Sequence, residues 1–212
     1  MDIVALLGSP RASGNSAFIA GRFLEAAEKL GARTRSFSLN QLRFRGCQAC
    51  DACKTRTESC VLKDDLAEVL EAVRRADVLL LASPVYYDDV TAQMKTFIDR
   101  TFCYFTPDFR TNGHRSRVAP GKTLVFVQTQ GAAAEFFKDV FARYCGIMKI
   151  HGFTQAHLIR ACGLVASDAA RGCSDVLQLA EDTAALVVGR GPGAQAGVGR
   201  KPLSPPRRGR VK

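Results

Sequence analysis

Residues 77–87 read DVLLLASPVYY, an unbroken apolar run that stops at a Ser-Pro turn. Continuous rather than alternating apolarity belongs to a strand buried on both faces, as in the middle of a parallel sheet. Working outward, residues 2–7 (DIVALL) read as a first buried strand and Arg33 to Phe37 as a second. Lys122 to Gln128 and Phe153 to Ile159 supply two more. Between them apolar residues recur at helical spacing, through Phe18, Ile19, Phe23, Leu24, Ala27 and Leu30, and again through Leu66, Val69, Leu70 and Val73. Further helices are expected over about 91–103, 133–145 and 167–188, the last broken near Gly172. Five strands alternating with helices predict an α/β fold with a doubly wound parallel sheet. Right-handed crossovers then place every strand-to-helix loop on one edge.

The chain has 212 residues, 47% of them hydrophobic, enough to bury one core without disulfides. No basic segment precedes an apolar run, and no apolar stretch approaches the roughly 20 residues that span a bilayer. A cytoplasmic location with reduced cysteines is the expectation. The net charge of +10 invites a nucleic-acid partner, but seven of the basic residues, Arg190 to Lys212, lie in a Gly/Pro-rich tail without acids. The expected domain is 1–189, with 190–212 a disordered tail, and the body shows no basic stripe. This distribution argues against a nucleic-acid partner.

Three loops on the shared edge carry the chemistry. Gly8 to Ser16 (GSPRASGNS) joins the first strand to a helix N-terminus, where open N–H groups and the helix dipole favour an anion. Ser9, Ser13, Asn15 and Ser16 add short donors and Arg11 a charged one. The loop is neither GxGxxG nor GK[ST]-terminated, which disfavours ATP and a Rossmann-bound dinucleotide. Pro84, Val85, Tyr86 and Tyr87 follow the most buried strand, and Thr129-Gln130-Gly131 follows the next. One phosphate cradle beside two loops suited to a planar ring describes a mononucleotide pocket.

GSPRASGNS, ASPVYYDDVTAQMKTFIDR and the TQG loop, in that order, resemble the flavodoxin-like NAD(P)H-dependent FMN reductases, in the branch related to iron–sulfur flavoproteins and multimeric flavodoxins. The resemblance covers residues 1–188. It implies a five-stranded sheet of order 2-1-3-4-5, noncovalent FMN, and a homodimer or homotetramer. It also implies that Ser9, Arg11, Ser13, Asn15 and Ser16 surround the FMN phosphate. Pro84, Val85, Tyr86 and Tyr87 would line the ribityl and ring region, with Thr129 and Gly131 on another side. Lys95 and Asp99, four apart on one helix face, suit an ion pair.

Cys47, Cys50, Cys53 and Cys60 follow the spacing C-x2-C-x2-C-x6-C and resemble the compact cluster motif of iron–sulfur flavoproteins. Four thiolates suit a [4Fe–4S] ligand set; zinc, or thiols without metal, are the alternatives. Cys103, Cys145, Cys162 and Cys173 are scattered and read as buried structural thiols. His114, His151 and His157 show no ligand spacing, and no catalytic side chain stands out. The functional expectation is an FMN-dependent oxidoreductase passing electrons from NAD(P)H, or from a ferredoxin-like donor, to a quinone, flavin or other small acceptor. The alternative is a non-enzymatic electron carrier.

Overall fold

The computed structural model describes residues 1–111, 113 and 115–190; His114 and the tail beyond Arg190 lie outside them. Five parallel strands form one sheet, β1 (Asp2–Leu7), β2 (Arg33–Ser38), β3 (Val78–Pro84), β4 (Lys122–Thr129) and β5 (Phe153–Ala161), in the order β2-β1-β3-β4-β5. This is the expected flavodoxin-like order. Six α-helices connect or follow them: α1 (Asn15–Lys29), α2 (Ala52–Thr55), α3 (Leu66–Arg75), α4 (Ala92–Arg100), α5 (Val140–Ile150) and α6 (Ser174–Arg190).

β3 explains the architecture. Its side chains alternate between two apolar layers: Leu79 and Leu81 face one, with Val69, Phe97 and Phe126, while Val78, Leu80 and Ala82 face the other, with Ile19, Phe23 and Ala184. Both layers must be covered, so α3, α4 and α5 pack on one side and α1 and α6 on the other. No helix among the described residues is long and apolar enough to cross a membrane.

Two helices depart from the sequence expectation. The helix expected at 133–145 begins only at Val140 and runs through Gly146 to Ile150. Residues 132–137 form a loop instead, because Gln130 Nε2 donates to the carbonyls of Ala132, Ala133 and Phe136 and the Arg160 guanidinium donates to those of Ala134 and Phe136. The expected final helix is likewise reduced to Ser174–Arg190, after a 3-10 turn at Ala169–Gly172. Helix α6 thus crosses the expected domain boundary at 189 by one residue.

The segment between β2 and α3 runs back along α4 and is locked there by a buried ion pair. The Arg100 side chain is fully buried; its Nη1 donates to Asp64 Oδ2 (2.8 Å) and to the Arg45 carbonyl (2.8 Å), and its Nη2 to Asp64 Oδ1 (3.1 Å). Burial alone would raise the Asp64 carboxyl, but hydrogen bonds from Arg100 and the Arg45 backbone hold it below the usual range. Lys95 and Asp99 form the expected ion pair on the half-exposed face of α4, 2.5 Å apart.

His151, at the end of α5, is 1% exposed and packs edge-on against Tyr104 and beside Phe105. Burial, aided by the Lys54 charge, pushes its imidazole down to about 4 from an ordinary 6.5. An unfolded imidazole therefore binds a proton between those values while the folded one does not. Stability present above pH 6.5 is lost as pH falls toward 4, by roughly 3 kcal/mol. Denaturant midpoints across that range are expected to show this slope in the wild type and a flatter one in His151→Gln. Asp64→Asn, which leaves the buried Arg100 charge uncompensated, is expected to lower unfolding free energy by about 3 kcal/mol in the same assay.

Candidate functional site

The carboxyl ends of β1, β3, β4 and β5 open onto one cavity of about 320 Å³. Its lining includes Ser9, Arg11, Asn15, Ser16, Pro84, Val85, Tyr86, Thr129 and Gly131, all expected from the sequence. The site is held by main-chain bonds between successive loops. Gly8 N donates to the Ala82 carbonyl (2.8 Å), Val85 N to that of Thr129 (2.8 Å), Gln130 N to that of Ala161 (3.0 Å), and Leu164 N to that of Gln130 (3.0 Å). The loops form a stitched rim rather than independent turns.

The β1–α1 loop has the character of an anion cradle. The N-cap residue Gly14 gives α1 no side-chain cap, and the first helical bond shown is from Phe18 N to the Gly14 carbonyl (2.9 Å). Ser16 is 2% exposed, and its hydroxyl has no hydrogen-bond partner. A buried hydroxyl without a partner is costly, and this one sits in the cavity lining at a helix N-terminus. Close packing also dictates glycine here. A Cβ on Gly8 would lie 2.9 Å from Thr91 Oγ1, and one on Gly14 would lie 3.1 Å from Arg11 Cβ.

Asn15 has another task. Its Nδ2 donates to the Ala166 carbonyl (2.7 Å) and its Oδ1 accepts from Ala170 N (2.9 Å), tying the cradle to the segment after β5. Ser13 does not line the cavity. Tyr87 does not either: it is fully exposed on a two-residue hairpin turn in which both Tyr87 (φ 46°) and Asp88 (φ 66°) are left-handed. Non-glycine residues occupy that region at some strain. The turn is braced by Tyr144 Oη, which donates to Asp89 Oδ1 (2.6 Å), and by Arg143, which donates to the Asp88 carbonyl (3.0 Å).

Gln130, Leu164 and Val165 complete the lining and were not expected from the sequence. The signal for the latter two was present: Gly163 (φ 73°) follows β5 directly, on the edge that already held the other loops. Val165 is 86% exposed, an apolar group held at the cavity mouth.

The metal expectation fails. Cys47, Cys50, Cys53 and Cys60 lie far from this edge, beside the C-terminal end of α4, where with Cys103 they border a narrow cavity of about 20 Å³. That volume holds about one water molecule, not a four-iron core. Cys47 and Cys50 are exposed, Cys53 Sγ meets Lys54 Nζ at 3.5 Å, and Cys60 faces Arg100. Among the described residues no group of three or more His, Cys, Asp or Glu side chains is placed to hold a metal ion. The [4Fe–4S] assignment, and zinc with it, is corrected on that ground, and the reason for a ferredoxin-like donor goes with it. Of the scattered cysteines only Cys103 is buried, and burial, with the neighbouring Cys60 and Cys53, pushes its thiol up to about 12.

Comparison with known proteins agrees with this geometry. The model of the NADPH-dependent FMN reductase family matches residues 1–150. An iron-sulfur flavoprotein of Archaeoglobus fulgidus is 40% identical over 104 residues, 49% of this chain and 47% of that protein. The chain spans about half the length of the curated relatives it matches. An FMN-dependent NADH-azoreductase from Bacillus anthracis superposes with a TM-score of 0.70 at 13% identity, covering 89% of this chain and 100% of that one. An NAD(P)H:quinone oxidoreductase from Methanothermobacter marburgensis gives 0.64 at 19% identity, over 87% and 95%. At such identities the two structures speak for the fold. The family match over most of the described chain, together with the sheet order and the loop-built cavity, shows that this chain belongs to the NADPH-dependent FMN reductase family.

Proposed function

We propose that the protein is a cytoplasmic FMN-dependent oxidoreductase that draws on NAD(P)H and reduces a small planar acceptor such as a quinone, a flavin or an azo compound. The observation that carries this reading is the unpartnered Ser16 hydroxyl at the open N-terminus of α1, in the same cavity as two ring-sized loops. A phosphate accepted there would satisfy that hydroxyl and the first-turn N–H groups, with the Arg11 charge beside it. A volume of about 320 Å³ lies at the lower end of ligand pockets, roughly 300–1,000 Å³, and suits a mononucleotide.

When bound, FMN supplies hydride and electron acceptance at its ring. The chain's own residues hold and select. Pro84, Val85 and Tyr86 form one wall, Thr129, Gln130 and Gly131 a second, and Leu164 and Val165 an apolar third that excludes water. Gln130 is itself fixed: its Oε1 accepts from Gln128 Nε2 (2.9 Å) and from the Arg160 guanidinium (3.1 Å). The second wall is therefore rigid before any ligand arrives, which limits the ordering penalty of binding. The exposed Tyr87 and Val165 at the mouth support a homodimer or homotetramer covering this edge.

Two measurements test the reading. Purified protein titrated with FMN is expected to quench flavin fluorescence and then to oxidise NADPH or NADH with a small quinone present. Flavin binding without nicotinamide oxidation would overturn the enzymatic reading and leave an electron carrier. Ser16→Ala is expected to weaken FMN about 10- to 100-fold, the worth of one hydrogen bond to a charged group, while riboflavin, which lacks the phosphate, binds both proteins equally. Equal FMN affinity for the two would remove the phosphate assignment.

A further inference from the structure

Five of the eight cysteines gather at the end of α4 remote from the cofactor cavity, and the flavin reading uses none of them. Two of the five have a cation beside the sulfur. Lys54 Nζ reaches Cys53 Sγ at 3.5 Å; it also donates to the carbonyls of Phe102 (2.7 Å) and Phe105 (2.9 Å) and rests over the Phe102 ring. Those carbonyls hold the ammonium in place without neutralising it. Cys60 interacts with the Arg100 guanidinium, whose Nε is buried with no hydrogen-bond partner of its own. A cation or an open N–H donor next to a thiol favours the thiolate, the form that attacks disulfides.

Cys60 also borders a second, larger cavity of about 510 Å³, walled by Glu58, Arg74, Tyr104 and Arg117. Arg117 is held by the carbonyls of Cys53, Cys103 and Phe105. The walls therefore carry both charge signs around one half-buried sulfur. Cys53 and Cys60 meet again on the narrow inner cavity, and both act electrostatically on Cys103 there. One sulfur thus faces an entry chamber while another lies just behind it.

We propose that Cys60 and Cys53 form a dithiol–disulfide couple that reduces a small zwitterionic disulfide admitted through the larger cavity. The Cys60 thiolate attacks one sulfur of that disulfide. The bond between its two sulfurs breaks, a mixed disulfide forms on Cys60, and the first half leaves as a thiolate that takes a proton. The Cys53 thiolate then attacks the Cys60 sulfur, releasing the second half as a thiol and closing a Cys53–Cys60 disulfide. Two electrons pass from the protein thiols to the substrate, and the two thiol protons end on the two products. Cys103, buried and protonated, stays a bystander, and excess small thiol reverses the sequence.

L-cystine is the probe, added to the full chain purified anaerobically. Two thiols per chain are expected to disappear, two cysteines to be released, and peptide mapping to recover Cys53 joined to Cys60. Cys53→Ser is expected to stop at a cysteine adduct on Cys60 after one release. Cys60→Ser is expected to slow release at least about tenfold while FMN affinity, an independent check on folding at the other end of α4, stays unchanged. A Cys47–Cys50 disulfide in place of Cys53–Cys60, or an unchanged release rate in Cys60→Ser, would overturn the proposal. So would iron and acid-labile sulfide copurifying with thiols that do not titrate.

Discussion

Burial of both faces of β3 is the constraint from which the rest of the molecule follows. A strand whose side chains enter two separate apolar layers cannot carry polar function along its length. Polar groups are displaced to the strand ends, and right-handed crossovers bring the carboxyl ends of four strands to one edge. The main-chain bonds from Gly8, Val85, Gln130 and Leu164 then make that edge a single piece. A cofactor cavity there is a product of the sheet's packing as much as of its lining residues.

Much of this was legible in the chain, and the reasons are local. DIVALL and DVLLLA have the continuous apolarity of buried parallel strands, and GSPRASGNS has the donor density and glycines of a turn against a helix N-terminus. The misses are tertiary. AAAEFF reads as helix by propensity, yet Gln130 and Arg160 capture its carbonyls and hold it as a loop. Ser13 and Asn15 look like phosphate donors in a one-dimensional reading, but Ser13 lies off the cavity and Asn15 is engaged by the segment after β5. Tyr87 was placed on the ring because it adjoins Tyr86, whereas its left-handed backbone turns it to solvent.

The cysteine segment shows the limit of spacing as a signal. Its C-x2-C-x2-C pattern is compact, and curated relatives carry the name iron-sulfur flavoprotein. Here Lys54 and Arg100 stand beside two of the four sulfurs, and the space between them is about one water molecule in size. The buried Arg100–Asp64 pair that fixes this segment also fixes which sulfurs face a cation. Sequence spacing says nothing about such partners, because Arg100 is forty residues downstream of Cys60 and arrives only when α4 docks.

Helix α4 has a consequence for how electrons are kept apart. Its first turn adjoins the cofactor cavity through Thr91 Oγ1, which donates to the Gly8 carbonyl, and its last residue is Arg100 beside the thiols. Nine residues rising about 1.5 Å each put roughly 13 Å of packed helix between the two ends. Within one chain, the helix works as an insulating spacer. Two redox chemistries at opposite ends of it can hold different potentials without short-circuiting, and any wiring between them has to be supplied by whatever docks from outside.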